Sequence, residues 1–126
     1  MEKISFVIPC YRSEHTIGAV VDEIVGTVTA HGGYDYEIIL VNDSSPDNVM
    51  DVIAALSQAN PRVKGLDLAR NFGQHSAIMA GFTYLTGDIV VCLDDDGQTP
   101  ANEMFKLIDK LDEADLVFAE IGRAHV

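Results

Sequence analysis

The sequence predicts an α/β protein with a mainly parallel sheet that is covered by helices on both faces. Strand-like and helix-like segments alternate along all 126 residues, enough for one domain with a sizeable core. The strand-like segments, such as residues 37–41 and 89–93, are apolar at almost every position instead of every second one. Strands of that kind are buried on both faces, and helical crossovers connect parallel neighbours.

Two strand–helix units occupy the first half of the chain. We expect a strand at residues 4–8 that Pro9 ends, because proline cannot donate to a strand ladder. A helix begins at Thr16, and a second strand at residues 37–41 leads into a helix that Asn60-Pro61 closes. The apolar positions that share one helix face are Ile17, Val21, Ile24 and Val28 in the first helix and Val49, Ile53 and Leu56 in the second.

The same alternation continues in the second half. Strands are predicted at residues 63–68, 89–93 and 116–120. One helix is predicted at residues 77–85, and another begins near Pro100, a residue suited to the first helical turn. The apolar positions of the latter helix are Met104, Leu107, Ile108 and Leu111.

Composition excludes several classes of protein. With 20 acidic and 8 basic residues the net charge is −12, whereas a nucleic-acid-binding domain would carry a basic patch. Cys10 and Cys92 share no ligand spacing with the histidines, so we expect core residues in a reducing compartment. No apolar run approaches the ~20 residues of a membrane span. We expect this segment to be soluble and cytoplasmic.

Three carboxylates, Asp94, Asp95 and Asp96, directly follow the apolar segment 89–93. Anions at the end of a buried strand must be paired, because desolvation costs several kcal/mol each. Carboxylates one residue apart can converge on Mg²⁺ or Mn²⁺, and such an ion keeps positions open for substrate phosphates. The sequence therefore predicts a metal-held nucleotide.

Polar residues follow each of the first four predicted strands. Ligands of open parallel sheets bind beyond the carboxyl ends of the strands, so these residues are expected to share one edge. They are Pro9, Tyr11 and Glu14, then Asp43, then Arg70 and Asn71, then Asp94 and Asp96.

Several of these residues, and the turn that follows Asp43, also have a structural alternative. For Asp94 and Asp96 it is a solvated turn. Ser45 and Asp47 could cap the following helix by accepting hydrogen bonds from its free amides. Arg70 could be a surface cation, Glu14 a solvated loop acid and Tyr11 an aromatic residue at the edge of the core.

Two rival motifs fail on spacing. A helix–loop–helix calcium site that uses Asp94 and Asp96 would begin at Cys92, inside a strand. A phosphoacceptor receiver domain would need an acidic pair after the first strand and a lysine after the fifth, and neither is present. No glycine-rich phosphate loop occurs either.

The four strand-end motifs, taken in order, resemble family 2 glycosyltransferases of the GT-A fold. The motifs are Ile8-Pro9-Cys10-Tyr11 with Glu14, Val41-Asn42-Asp43-Ser44-Ser45-Pro46-Asp47, Arg70-Asn71-Phe72-Gly73, and Asp94-Asp95-Asp96-Gly97-Gln98-Thr99-Pro100. Within that family the chain most resembles the branch that transfers sugars to polyprenyl phosphates. The resemblance implies a Rossmann-like, nucleotide-binding half of a GT-A domain.

The resemblance also implies a role for each matching position. Asp94 and Asp96 occupy the outer positions of the DxD motif, and Asp95 replaces the commoner small residue between them. The implied nucleotide-binding residues are Pro9, Tyr11, Glu14, Asp43, Arg70, Asp94 and Asp95. The implied ligands of Mg²⁺ or Mn²⁺ are Asp94, Asp96 and Gln98.

The implied activity is metal-dependent, inverting sugar transfer from a nucleoside-diphosphate sugar, with a UDP-sugar expected over a GDP-sugar. A divalent ion would stabilise the charge that develops on the leaving diphosphate. A polyprenyl phosphate acceptor is already anionic, whereas a glycan hydroxyl needs a carboxylate base, which would lie beyond this chain. The alternative function is a non-catalytic nucleotide- or metal-binding module.

Residues 1–120 are expected to form the donor-binding part of the domain, truncated before the acceptor half. The last six residues, 121–126, back-translate to a sequencing-library adapter, so we expect a foreign tail there. By the resemblance, the full-length protein is expected at the cytoplasmic face of a membrane, in cell-envelope synthesis.

Overall fold

The computed structural model describes residues 1–68 and 74–96, the helical residues Phe105 and Ile108, and residues 117–121. Within this part of the chain, five strands form one sheet in the order β3-β2-β1-β4-β5, and every neighbouring pair is parallel. The strands are β1 Glu2–Cys10, β2 Tyr34–Asn42, β3 Val63–Asp67, β4 Ile89–Leu93 and β5 Val117–Ile121. The helices are α1 Ile17–His31, α2 Val49–Ala59 and α3 Gln74–Phe82.

The core has two layers, one on each face of the sheet. Alternate residues of the strands point to opposite faces, so Phe6 belongs to one layer and Val7 to the other. Helices α1 and α2 cover the first layer together with Phe105 and Ile108, and α3 covers the second. The predicted parallel sheet with helices on both faces is confirmed.

The element boundaries correct several predictions. Strand β1 does not end before Pro9 but continues to Cys10. The proline is tolerated because the ladder with β4 ends at Val7, so that Pro9 is paired only with β2. Helix α3 lies three residues earlier than the predicted 77–85 at both ends.

Other sequence predictions fall at the edges of the described residues. The predicted inward face of the helix near Pro100 lies outside them except for Ile108, which is buried. Ile121 pairs with Leu93 at the end of β5, and the origin of residues 121–126 stays a prediction. None of the described helices is long and apolar enough to cross a membrane.

The two cysteines are core residues, as predicted. Cys10 and Cys92 are both buried, and neither forms a disulfide. They belong to opposite layers, Cys10 to the layer under α1 and Cys92 to the layer under α3. Burial is the main reason that the pKa of the Cys10 thiol lies well above its usual value, so this thiol stays protonated at neutral pH.

A buried carboxylate fastens the sheet near its amino-terminal edge. Glu37 on β2 is 1% exposed and accepts hydrogen bonds from the Ser5 hydroxyl at 2.6 Å and the Thr86 amide at 2.7 Å. The Lys64 ammonium on β3 lies 2.7 Å from its other oxygen, and the Gly87 amide donates to Ser5 Oγ at 2.9 Å. One side chain thus connects β1, β2, β3 and the turn before β4.

The charge of Glu37 is stabilised by this network. Burial alone would raise the pKa of the carboxyl group. The hydrogen bonds from Lys64, Ser5 and Thr86 outweigh that effect and lower the pKa from 4.5 to about 2.

We expect Glu37→Gln to lower the free energy of unfolding by about 2 kcal/mol at pH 7, because a charge-assisted buried network is lost. The contribution of Glu37 is complete above its unfolded pKa of 4.5 and disappears as the pH falls towards about 2. Urea titrations at several pH values measure this. The difference between wild type and variant should shrink below pH 4.5, and a difference independent of pH would contradict the prediction. Asp35→Asn, in an exposed pair with Arg62, is the control.

Gly87→Ala is expected to destabilise the fold by about 1–3 kcal/mol through overpacking. A Cβ at this position would lie 2.3 Å from Ser5 Oγ and 2.9 Å from the Lys3 carbonyl oxygen. The matched control is Gly26→Ala within α1, where a Cβ meets nothing within 4 Å. That control should stabilise by up to about 1 kcal/mol through helix propensity. Thermal unfolding of both variants gives the comparison, and equal midpoints would refute it.

Candidate functional site

The strand order produces a switch point next to β1. From β1 the chain continues to β2 and β3 on one side, and then crosses to β4 and β5 on the other side. Crevices at such switch points, beyond the carboxyl ends of the strands, are where open α/β sheets bind ligands. The segments that follow β1, β2 and β4 therefore define the candidate site.

The β1 loop, residues 11–16, is joined to the acidic residues that follow β4. Asp95 accepts a hydrogen bond from the Tyr11 amide through Oδ2 at 2.9 Å, and its carbonyl oxygen accepts one from Thr16 Oγ1 at 2.7 Å. Asp94, Asp95 and Asp96 are all half-buried. Burial is the main cause that raises the pKa of Asp95. Asp95 thus lies against the end of β1.

The β1 loop is also joined to the loop that follows β2. Ser45 Oγ accepts from the Arg12 amide at 2.7 Å and donates to Asp47 Oδ1 at 2.5 Å. Asp47 Oδ2 accepts from the Glu14 amide at 3.0 Å. Burial alone would raise the pKa of Asp47, but hydrogen bonds from Ser45, Glu14 and Val49 hold it below its usual value. Asp47 Oδ1 also accepts from the amide of Val49, the first residue of α2, at 3.3 Å, although the N-cap residue Asn48 makes no side-chain capping bond. The predicted bond to a free helix amide is thus observed for Asp47 but not for Ser45, whose hydroxyl accepts from the β1 loop.

A further pair of residues joins β2 to β3 at the same edge. Asn42 donates from Nδ2 to Asp67 Oδ1 at 2.9 Å and accepts from the Ser45 amide at 3.0 Å. The Asp43 amide donates to the Cys10 carbonyl oxygen at 3.1 Å, and Asp43 is only 3% exposed. Asp67 is not among the predicted site residues. The sequence does give a signal for it, because Asp67 is an acidic residue at the end of a strand, as Asp43 directly follows β2.

Two residues of this edge have a left-handed backbone without being glycine. Arg12 has a φ of 57° and Ser44 a φ of 55°, and each follows shortly after a strand end. Such conformations are disfavoured for side chains with a Cβ and persist where surrounding bonds hold them. The two loops are held to each other by the bond from the Arg12 amide to Ser45.

The structure places most of the predicted site residues at this edge. Pro9 is the second-last residue of β1 and pairs with Val41 of β2. Tyr11 is 42% exposed, Glu14 is half-buried and Asp43 is buried. Arg70, Asn71 and Gln98 lie outside the described residues. The described residues contain no group of three histidine, cysteine or acidic side chains arranged to hold a metal. Two half-buried carboxylates, those of Asp94 and Asp96, still fit a hard cation that takes its other ligands from phosphate oxygens.

Comparison with known proteins decides the family. The model of Glycosyl transferase family 2 matches residues 5–124. The chain belongs to this family. The match includes all five strands except the first residues of β1, so the strand-end motifs of this family 2 chain lie within the matched region.

Solved glycosyltransferases share the fold. A mannosyltransferase from Pyrobaculum calidifontis, PcManGT, solved with GDP-Man and Mn²⁺, has a TM-score of 0.68 at 20% identity over 82% of this chain. TarS from S. aureus, residues 1–349 with UDP-GlcNAc, has a TM-score of 0.68 at 18% identity over 87% of this chain. Mannosyl-3-phosphoglycerate synthase from Rubrobacter xylanophilus has a TM-score of 0.63 at 20% identity over 75%. The family 2 chain spans 30% of PcManGT and 31% of the other two.

Asp47→Ala is expected to destabilise this family 2 chain by about 1–2 kcal/mol, because it removes the acceptor of the Val49 and Glu14 amides. Asp51→Ala, an exposed acid in the first turn of α2, is the control and should change stability by less than about 0.5 kcal/mol. Urea unfolding measures both. Hydrogen exchange at the Glu14 amide should accelerate only in Asp47→Ala, and unchanged exchange there would show that the bond is not formed in solution.

Proposed function

We propose that the full-length protein is a metal-dependent, inverting glycosyltransferase that takes its sugar from a nucleoside-diphosphate sugar. Family membership supports the reaction class. The observation that carries the proposal is the position of Asp94 and Asp96, half-buried on either side of a residue that is hydrogen-bonded to the β1 loop at the switch point. Two carboxylates at this place can hold a divalent cation between protein and donor.

The hydrogen bonds of the β1 loop explain why a cation is needed. The amides of Tyr11, Arg12 and Glu14 already donate to side chains of the protein. They are therefore not available to cradle a diphosphate, which is how glycine-rich loops bind phosphate in other α/β folds. With a net charge of −12, the chain must counter the charge of the donor by other means. A bound Mg²⁺ or Mn²⁺ supplies that charge and stabilises the leaving diphosphate.

The residues of the chain receive roles within this proposal. Asp94, Asp96 and Gln98 hold the cation, and Arg70 lies on the diphosphate side.

Asp43, buried at the end of β2, contacts the ribose or base, and Pro9 and Glu14 complete the pocket. The exposed ring of Tyr11 offers a flat apolar face for a base. Asp94 also belongs to the nucleotide-binding set.

The proposed donor and acceptor are more specific than family membership alone indicates. PcManGT binds GDP-Man and TarS binds UDP-GlcNAc, so both bases occur among similar proteins, and we favour a UDP-sugar here. We propose a polyprenyl phosphate acceptor, with a glycan as the alternative, at the cytoplasmic face of a membrane. A phosphate acceptor needs no general base because it is anionic at neutral pH.

The alternative is that this chain serves only as a nucleotide- or metal-binding module. The observation in its favour is that the described residues place carboxylates beside the exposed Tyr11 at the switch point, an arrangement that is sufficient to bind a nucleotide without transferring a sugar. Sugar transfer by the full-length protein from a UDP- or GDP-sugar separates the two functions, because a binding module would retain nucleotide without turning it over.

We expect UDP or GDP to bind this chain in the presence of Mn²⁺ and at least about tenfold more weakly without it, because the diphosphate then lacks its counter-charge. The double variant Asp94→Ala with Asp96→Ala should lose the metal dependence. The matched control is Asp22→Ala with Asp51→Ala, two exposed acids on helices α1 and α2. Isothermal titration calorimetry gives the affinities. Binding that is indifferent to Mn²⁺, or to the double variant, would contradict the proposed site.

A further inference from the structure

Asp95 differs from its two acidic neighbours in what its carboxylate contacts. We propose that Asp95 is a positioning residue, whose carboxylate fixes the β1 loop so that the Tyr11 ring and the DxD carboxylates face the same donor. The inference deepens the proposed function and rests on it. It assigns to the middle acid a structural bond in place of direct contact with metal or nucleotide.

Asp95 holds the β1 loop at both of its ends. Its Oδ2 atom accepts from the Tyr11 amide at 2.9 Å, at the start of the loop. Its carbonyl oxygen accepts from Thr16 Oγ1 at 2.7 Å, immediately before α1 begins. A single residue after β4 therefore fixes the exit of β1 and the entry of α1, and any movement of Asp95 would displace both.

The carboxylate of Asp95 also lies near the middle of the loop. Ser13, in the middle of the loop, is 4% exposed, and its hydroxyl makes no hydrogen bond of normal geometry. This hydroxyl is nevertheless close enough to help lower the pKa of Asp95 against the larger, opposing effect of burial. The Asp95 carboxylate is thus bonded to Tyr11 and lies near Ser13.

The loop needs such an anchor because its backbone is held in a disfavoured conformation. Arg12 has a φ of 57°, and its amide donates to Ser45 Oγ on the β2 side. The preceding amide, of Tyr11, donates to Asp95 on the β4 side. Two consecutive amides are therefore bonded to opposite neighbours of β1, which fixes the left-handed turn between them.

The direction of the Tyr11 ring follows from this turn. The ring is 42% exposed, and the Arg12 guanidinium carbon lies 5.4 Å from its centroid. Loss of the Asp95 bond would leave the Tyr11 amide without its acceptor and allow the turn to relax. The aromatic face would then no longer be presented in one orientation, and a donor base would bind more weakly.

The test compares Asp95→Asn with Asp95→Ala in the 126-residue chain. Asparagine keeps an oxygen that can accept from the Tyr11 amide but removes the charge, whereas alanine removes both. We expect Asp95→Asn to bind UDP or GDP with Mn²⁺ within about twofold of wild type, and Asp95→Ala about tenfold more weakly. If Asp95 acted through its charge on metal or nucleotide, asparagine would be as damaging as alanine, and the inference would fail.

Amide hydrogen exchange at Tyr11, followed by NMR without nucleotide, tests the anchor itself. Exchange should accelerate about tenfold or more in Asp95→Ala and remain near wild type in Asp95→Asn. Exchange at Tyr11 that is unchanged in Asp95→Ala would overturn the inference. If Asp95→Ala does not fold, Asp95→Glu serves instead, because its longer side chain keeps the charge but moves the carboxylate away from its position at the Tyr11 amide. Exchange at Tyr11 should then accelerate about threefold or more, and unchanged exchange would overturn the inference.

The matched control is Asp88→Ala. Asp88 also accepts an amide of β1, that of Lys3, at 3.0 Å, but at the opposite edge of the sheet. This variant should expose the Lys3 amide to exchange and leave Tyr11 exchange and nucleotide binding unchanged. Should the wild-type chain bind neither nucleotide, the proposed function would fail, while Tyr11 exchange would still decide whether Asp95 is the anchor.

Discussion

The parallel pairing of β1 with β2 on one side and with β4 on the other is the constraint on which the site depends. The register pairs Cys10 with Asn42 and Val7 with Cys92, so the residues after β2 and β4 lie level with the end of β1. Only in this register can Asp95 reach the Tyr11 amide and Asp43 the Cys10 carbonyl oxygen. A shift by one residue would reverse the faces of every side chain and break both bonds.

The carboxylates at the two ends of the strands are stabilised in different ways. Near the amino-terminal edge, Glu37 is neutralised by the Lys64 ammonium and is closed off from solvent. At the carboxyl edge, Asp47 and Asp95 accept from backbone amides, which carry only partial charges and offset less of the negative potential. The first arrangement stabilises the fold. The second leaves more of the negative charge uncompensated, as the proposed cation site of this family 2 chain requires.

The sequence predicted the fold well because the responsible signals are local. Continuous apolar strands and their alternation with helices give the sheet, and β4 was predicted with its observed bounds. The predicted end of β1 at Pro9 was wrong because proline is excluded mainly from strands that are paired on both sides, and the pairing of β1 with β4 ends at Val7. Helix α3 was predicted three residues too late, because an apolar pattern indicates the buried face of a helix more reliably than its first turn.

The candidate site was predictable in position but not in its bonds. Residues at strand ends can be listed from the chain, whereas their partners depend on register; Glu37 contacts Lys64, 27 positions away, and Tyr11 contacts Asp95, 84 positions away. The roles of Arg70 and Gln98 stay predictions. Both native cysteines are buried, in opposite layers, so a cysteine introduced at the exposed position of Met79 would be a selective attachment point for a fluorescent reporter. Both native thiols could be retained, and the chain has no tryptophan whose fluorescence would add to that of the reporter.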